Sequence, residues 1–107
     1  MYWFDPEFDA TSLWSGVYVN PPLCDRLFGP LFEAYDLTNE PSSITTPVLL
    51  VLGRHDYVVA YTLWKERDRA ALPKLTYRLL DESGHTPQIE AADRFDQALI
   101  EWIATLD

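Results

Sequence analysis

The sequence predicts an α/β fold built on parallel strands, and three observations predict it. Val48-Leu49-Leu50-Val51-Leu52 is an unbroken apolar run behind Pro47, the pattern of a strand buried on both faces. Leu75-Thr76-Tyr77-Arg78-Leu79-Leu80 reads as a second strand. Each is followed by a helical pattern, over Tyr61 to Leu72 and over about 91 to 106. Strand, helix, strand, helix implies parallel strands joined by a right-handed crossover.

Taken in order, residues 1 to 36 hold nine of the fifteen aromatics, and up to Pro41 there are seven acids against one base, Arg26. The first twenty residues show no sustained periodicity, so irregular structure or short turns are expected. Leu23, Leu27, Leu31 and Tyr35 recur at helical spacing, but Gly29-Pro30 interrupts them. Proline inside a helix costs about 3 kcal/mol, which predicts a kink or two short helices. Leu37 to Thr46 carries no core pattern and reads as a linker. The helix from Tyr61 should end before Pro73, with Leu63, Trp64, Ala71 and Leu72 inward and Lys65, Glu66, Asp68 and Arg69 outward. In the last helix Phe95, Leu99, Trp102, Ile103 and Leu106 make one apolar stripe.

The chain of 107 residues allows one domain at most. A net charge of −9 argues against nucleic acid or an anionic membrane as partner, since both need a basic face. No stretch approaches the ~20 apolar residues of a membrane span, and no signal peptide is visible at Met1-Tyr2-Trp3-Phe4-Asp5. The single cysteine, Cys24, rules out an internal disulfide and fits a reducing, cytoplasmic compartment.

Chemistry enters just past the strands. Asp56 follows the first strand by four residues and His85 follows the second by five. Neighbouring parallel strands lie about 4.8 Å apart and point the same way, so both residues should emerge side by side at the carboxyl edge of the sheet. A carboxylate beside an imidazole fixes its tautomer and stabilises the imidazolium, which makes the pair two thirds of a nucleophile–base–acid triad. Taken singly, each residue would be read as loop structure; a lone Asp after a strand is ordinarily a turn former. Zinc would need a third or fourth ligand, and no spaced third His or Cys exists, so no metal or cofactor is expected. His55 is expected to face away from the pair and Arg54 to form an ion pair. Gly53 and Gly84 read as turns permitting positive φ.

The run Pro47-Val48 through Asp56-Tyr57-Val58-Val59, then Ser83-Gly84-His85-Thr86-Pro87 and a final amphipathic helix, resembles the C-terminal end of an α/β-hydrolase. The resemblance covers residues 44 to 107. It implies that Asp56 is the triad acid and His85 the triad base, in the chain order of that fold. The preceding part, residues 1 to 43 with Tyr2-Trp3-Phe4-Asp5-Pro6, Leu13-Trp14 and Asn20-Pro21, looks like the tail of a cap segment and its linker. Together they are most similar to the proline iminopeptidase-like branch, which implies a small peptide or ester substrate. A free peptide N-terminus would suit aromatic rings with carboxylates, and Glu7, Asp9, Glu33 and Asp36 are the candidates for it. A solvated acidic face accounts for the same residues.

The sequence also departs from that pattern. It contains no Gly-x-Ser-x-Gly elbow and no His-Gly-Gly-type oxyanion loop, and none of Ser12, Ser15, Ser42, Ser43 and Ser83 sits between glycines on a strand-to-helix turn. Cys24, in a predicted helix, is a poor nucleophile. The expectation is a C-terminal portion of a serine hydrolase that lacks its own nucleophile and associates with the N-terminal part or with itself. The alternative is a catalytically dead hydrolase-like module that pairs with a partner or with itself. A two-stranded sheet buries too little to stand alone, which favours association under either reading.

Overall fold

A computed structural model describes residues 3–34 and 43–106. They fall into two compact units, one drawn from 1–8 and 41–107 and the other from 9–40. The strip 3–8, expected to go with the aromatic segment, groups instead with the larger unit. The Phe4 ring lies 4.9 Å from that of His55, and the Phe4 N–H donates to Glu90 Oε2 at 2.7 Å. Neither contact leaves a periodic trace in the sequence.

The larger unit contains strands β1 (Val48–Gly53) and β2 (Leu75–Leu80), paired in parallel from Val48↔Leu75 to Gly53↔Leu80. Backbone bonds continue the ladder at both ends, from Val48 N–H to Lys74 O at 3.0 Å and from Arg54 N–H to Leu80 O at 2.9 Å. Both strands lie where the apolar patterns put them. The burial does not follow: Val48 to Leu52, expected to be covered on both faces, are only half-buried. Among the described residues β1 has β2 as its hydrogen-bonded neighbour, and a two-stranded sheet offers little cover.

The crossover differs from the single helix expected over Tyr61 to Leu72. A 3-10 turn at Tyr61–Leu63 is followed by a short helix, α2 (Glu66–Ala70), with a break at Trp64 (φ −82°, ψ 80°). Tyr61, Thr62 and Trp64 are weak helix formers, so nothing local resists the break. The break changes the phase of the inner face. Leu63, expected inside, is 63% exposed, while Arg69, expected outside, sits over the Tyr77 ring at 4.6 Å. Asp68 is half-buried as well.

The last helical stretch also divides, into α3 (Pro87–Glu90) and α4 (Ala92–Ile103), at Ala91 (φ −133°, ψ 49°). Helix α4 lies against both strands, and Ala98 is its buried residue. Phe95, Leu99 and Trp102 of the expected stripe are half-buried, whereas Ile103, the last residue of the helix, and Leu106 beyond it are exposed.

In the smaller unit the first residues form only a 3-10 turn, Thr11–Trp14. Helix α1 (Pro21–Arg26) begins where Asn20 accepts the Leu23 N–H at 3.2 Å and Pro21 needs no partner. The helical path continues through Leu27–Leu31 with the expected kink at Gly29 (φ −104°, ψ −112°). Tyr35 and most of the expected linker, residues 37 to 42, lie outside the described residues. The Phe28 and Phe32 rings stack at 5.5 Å, yet both remain exposed with Trp14 and Tyr18. Among the described residues no helix is long and apolar enough to cross a membrane.

Candidate active site

The parallel register delivers the chains leaving β1 and β2 to the same edge of the sheet, and three features draw them together. The His55 N–H donates to Ser83 O at 2.9 Å. Arg54 and Asp81, the first residues after the two strands, form an exposed ion pair through Arg54 Nε. Asp81 raises the pKa of Arg54, chiefly by accepting that hydrogen bond. The third feature is the absence of a side chain at residue 53. A Cβ there would stand 2.1 Å from Gly84 O and 2.5 Å from Ser83 O.

Gly53 is therefore required by a close backbone approach, not by positive φ as the sequence suggested. Neither Gly53 nor Gly84 takes a positive φ; among the described residues that conformation belongs to Gly16.

The approach brings the two singled-out residues into contact, with His85 Nδ1 3.0 Å from Asp56 Oδ2. Asp56 is 6% exposed. Its other oxygen, Oδ1, accepts the N–H groups of Val58 at 2.8 Å and Val59 at 2.9 Å. This Asx-type turn orients the carboxylate and leaves Oδ2 for the imidazole. Burial alone would push the Asp56 pKa up. The Val59 N–H, the His85 ring and the Val58 N–H outweigh it and hold the carboxyl below its ordinary value. With Asp56 ionised, the bond to His85 requires the proton on Nδ1, which makes Nε2 the basic nitrogen of the ring. The His85 side chain is 37% exposed, enough for a reacting group to reach it.

The neighbouring polar residues lie elsewhere. His55 turns to Phe4 and Tyr57, with the Tyr57 hydroxyl 3.5 Å from its Nδ1. Ser83 is fully buried, so it cannot receive a substrate; among the described residues its Oγ has no hydrogen-bond partner. Ser12, Ser15 and Ser43 are exposed, and Ser42 lies outside the described residues. Of the acids considered for a cationic substrate group, Asp9 is occupied locally. Its carboxylate accepts the Thr11 N–H at 2.9 Å, and hydrogen bonds from the Thr11 side chain and backbone lower its pKa. Glu7 and Glu33 are exposed, and Asp36 lies outside the described residues. Among the described residues no group of three or more His, Cys, Asp or Glu could hold a metal ion.

One residue of the site went unnoticed in the sequence. Glu90 accepts the N–H of Gly84 at 3.0 Å and of Thr86 at 2.9 Å, on either side of His85. The available signal was a carboxylate one helical turn past Thr86, in the short stretch opened by Pro87, one position beyond the usual capping-box spacing.

Comparison with known proteins agrees with this architecture. No family model matches the chain. It is 37% identical over 95 residues to the AB hydrolase superfamily protein YclE of Bacillus subtilis, covering 88% of this chain and 34% of that protein. It is 32% identical over 73 residues to the putative carbamate hydrolase RutD of Stutzerimonas stutzeri, covering 66% of this chain and 26% of that one. An α/β fold family hydrolase from Bacillus anthracis superposes with a TM-score of 0.75 at 20% identity, over 94% of this chain and 37% of that structure. The chain has the C-terminal part of the α/β-hydrolase fold, and it spans about a third of the length of the relatives it matches.

Two outcomes test the site. Gly53→Ala would push a methyl group against backbone atoms that cannot rotate aside. It should cost about 1–3 kcal/mol, the usual range for overpacking, and lengthen the Asp56–His85 contact. Thermal melting and the NMR resonance of His85 Nδ1–H read the two effects; an unchanged melt with the resonance intact would refute the close approach.

Asp56, whose pKa falls on folding, stabilises the chain fully above its unfolded value of about 3.9. That share is lost as pH falls through the lower native value. The stability gap between the chain and Asp56→Asn should therefore be flat above about pH 5 and narrow below about pH 4. Urea unfolding across this range measures it, and a gap independent of pH would contradict the lowered pKa.

Proposed function

We propose that this chain supplies the acid and the base of a serine hydrolase triad. Asp56 is the acid and His85 the base, and a serine on an N-terminal segment outside these 107 residues is the nucleophile. The observation that carries the reading is the 3.0 Å contact between a buried, ionised Asp56 and His85 Nδ1 at the carboxyl edge of a parallel sheet. In the reaction His85 Nε2 takes the serine proton as the hydroxyl attacks a carbonyl carbon, then returns it to the leaving group. Asp56 holds the Nδ1–H tautomer and stabilises the imidazolium between those steps.

The substrate is a small amide or ester, and the motif resemblance favours an aminopeptidase acting on N-terminal proline. The relative named as a putative carbamate hydrolase fits the same chemistry at a carbonyl carbon. Residues 1 to 43 serve as the tail of a cap segment, and its aromatic side chains suit a cationic amino group.

The partner in this reading is the N-terminal part of the hydrolase. Support comes from the share of the relatives that the chain spans and from its uncovered apolar surface. Leu63, Ile100 and Ile103 in the larger unit are each more than half exposed, and β1 is only half-buried. A bare strand edge also presents unpaired backbone groups.

A fluorophosphonate probe tests the catalytic part. The 107-residue chain alone should not be labelled. The product of the same reading frame with its upstream coding sequence should be labelled, and His85→Ala should abolish that labelling. Heat-sensitive labelling of the chain alone would make one of its own serines the nucleophile and overturn the assignment.

Sedimentation tests the association. The pure chain should self-associate, or form a complex when the upstream segment is added. A compact monomer at high concentration with cooperative unfolding would show that these residues complete their own core.

A further inference from the structure

We infer that Glu90 is a positioning residue for His85, acting by clamping the peptide groups on both sides of it; the inference rests on the triad role proposed above. Glu90 is the last residue of α3, and its two oxygens divide the work. Oε1 accepts the Thr86 N–H at 2.9 Å and the Thr86 hydroxyl at 3.3 Å. Oε2 accepts the Gly84 N–H at 3.0 Å and the Phe4 N–H at 2.7 Å.

A helix cap would account for the Thr86 bonds alone, because Thr86 is the N-cap of α3. It does not account for Gly84, which precedes His85 and lies outside the helix. With the N–H groups of residues 84 and 86 both held by one carboxylate, the backbone at His85 has little freedom. Ser83 O is tied in turn to the His55 N–H at 2.9 Å. The His85 loop is thus anchored on both sides before the ring meets Asp56. Hydrogen bonds to an ionised acceptor are roughly twice as strong as neutral ones, so the clamp is stiff. Phe4 extends it: one N–H joins the N-terminal strip to the same oxygen that holds Gly84.

Glu90→Gln separates this role from packing. Glutamine keeps the volume but offers a single acceptor oxygen, and its NH2 group would face N–H donors. One of the two oxygen sets must be lost. The Gly84 or Thr86 amide should then exchange its hydrogen about tenfold faster, as expected for losing a bond to a charged acceptor. The His85 Nδ1–H resonance should lose at least half its intensity while the amide resonances of β1 and β2 stay in place.

If Glu90→Gln lowers the melting temperature but leaves the His85 resonance of the folded chain unchanged, Glu90 is only a cap and the inference fails. Asp56→Asn separates the two readings. Loss of the resonance there but not in Glu90→Gln removes only the clamp. A resonance indifferent to Asp56→Asn removes the triad pairing and the clamp's purpose with it. Should Glu90→Gln fail to fold, exchange in the unaltered chain decides. Protected Gly84 and Thr86 amides support the clamp, and exchange at random-coil rates overturns it.

Discussion

Two loops can meet at one edge of the sheet only if their backbones approach closely, and here the approach is set by Gly53 against the Ser83–Gly84 peptides. A Cβ at residue 53 would sit 2.1 Å from Gly84 O, well inside any tolerable contact. The same approach lets the His55 N–H reach Ser83 O and puts Asp56 and His85 within one hydrogen bond. The strand pairing supplies the direction of both loops. The missing side chain supplies their separation.

Once the loops meet, the electrostatics of the pair are decided by competition. Burial of Asp56 works against its charge, while two backbone N–H groups and the imidazole work for it, and the hydrogen bonds win. An ionised, oriented carboxylate then fixes the Nδ1–H tautomer of His85. Glu90 performs a parallel task on the backbone that the Asx turn performs on Asp56: each uses N–H groups next to the functional residue to immobilise it. The site thus rests on bonds between side-chain carboxylates and loop amides, with little contribution from a packed core.

That balance matches the state of the core. Ala98 is the buried hydrophobic side chain among the described residues, and β1 is half-buried where its composition calls for cover on both faces. The matched part is about a third of the length of the relatives it resembles, and a strand apolar on both faces ordinarily packs against helices on both sides of its sheet.

By itself the sequence determined the two strands, their parallel order and the pair Asp56 and His85. An apolar run of five residues and a half-polar stretch of six, each bounded by turn formers and too short for an ordinary helix, read as strands, and strand ends in a parallel sheet share one edge. It also determined the kink at Gly29-Pro30, where a local steric conflict decides the backbone. The tertiary structure alone decided the break at Trp64, the inward place of Arg69 over Tyr77, the docking of Phe4 and the role of Glu90. In each of these, local preference is weak and partners distant along the chain select the conformation. Gly53 shows the division most clearly. Its need for a bare backbone comes from residues 83 and 84, some thirty positions away, and nothing in its own neighbourhood announces it.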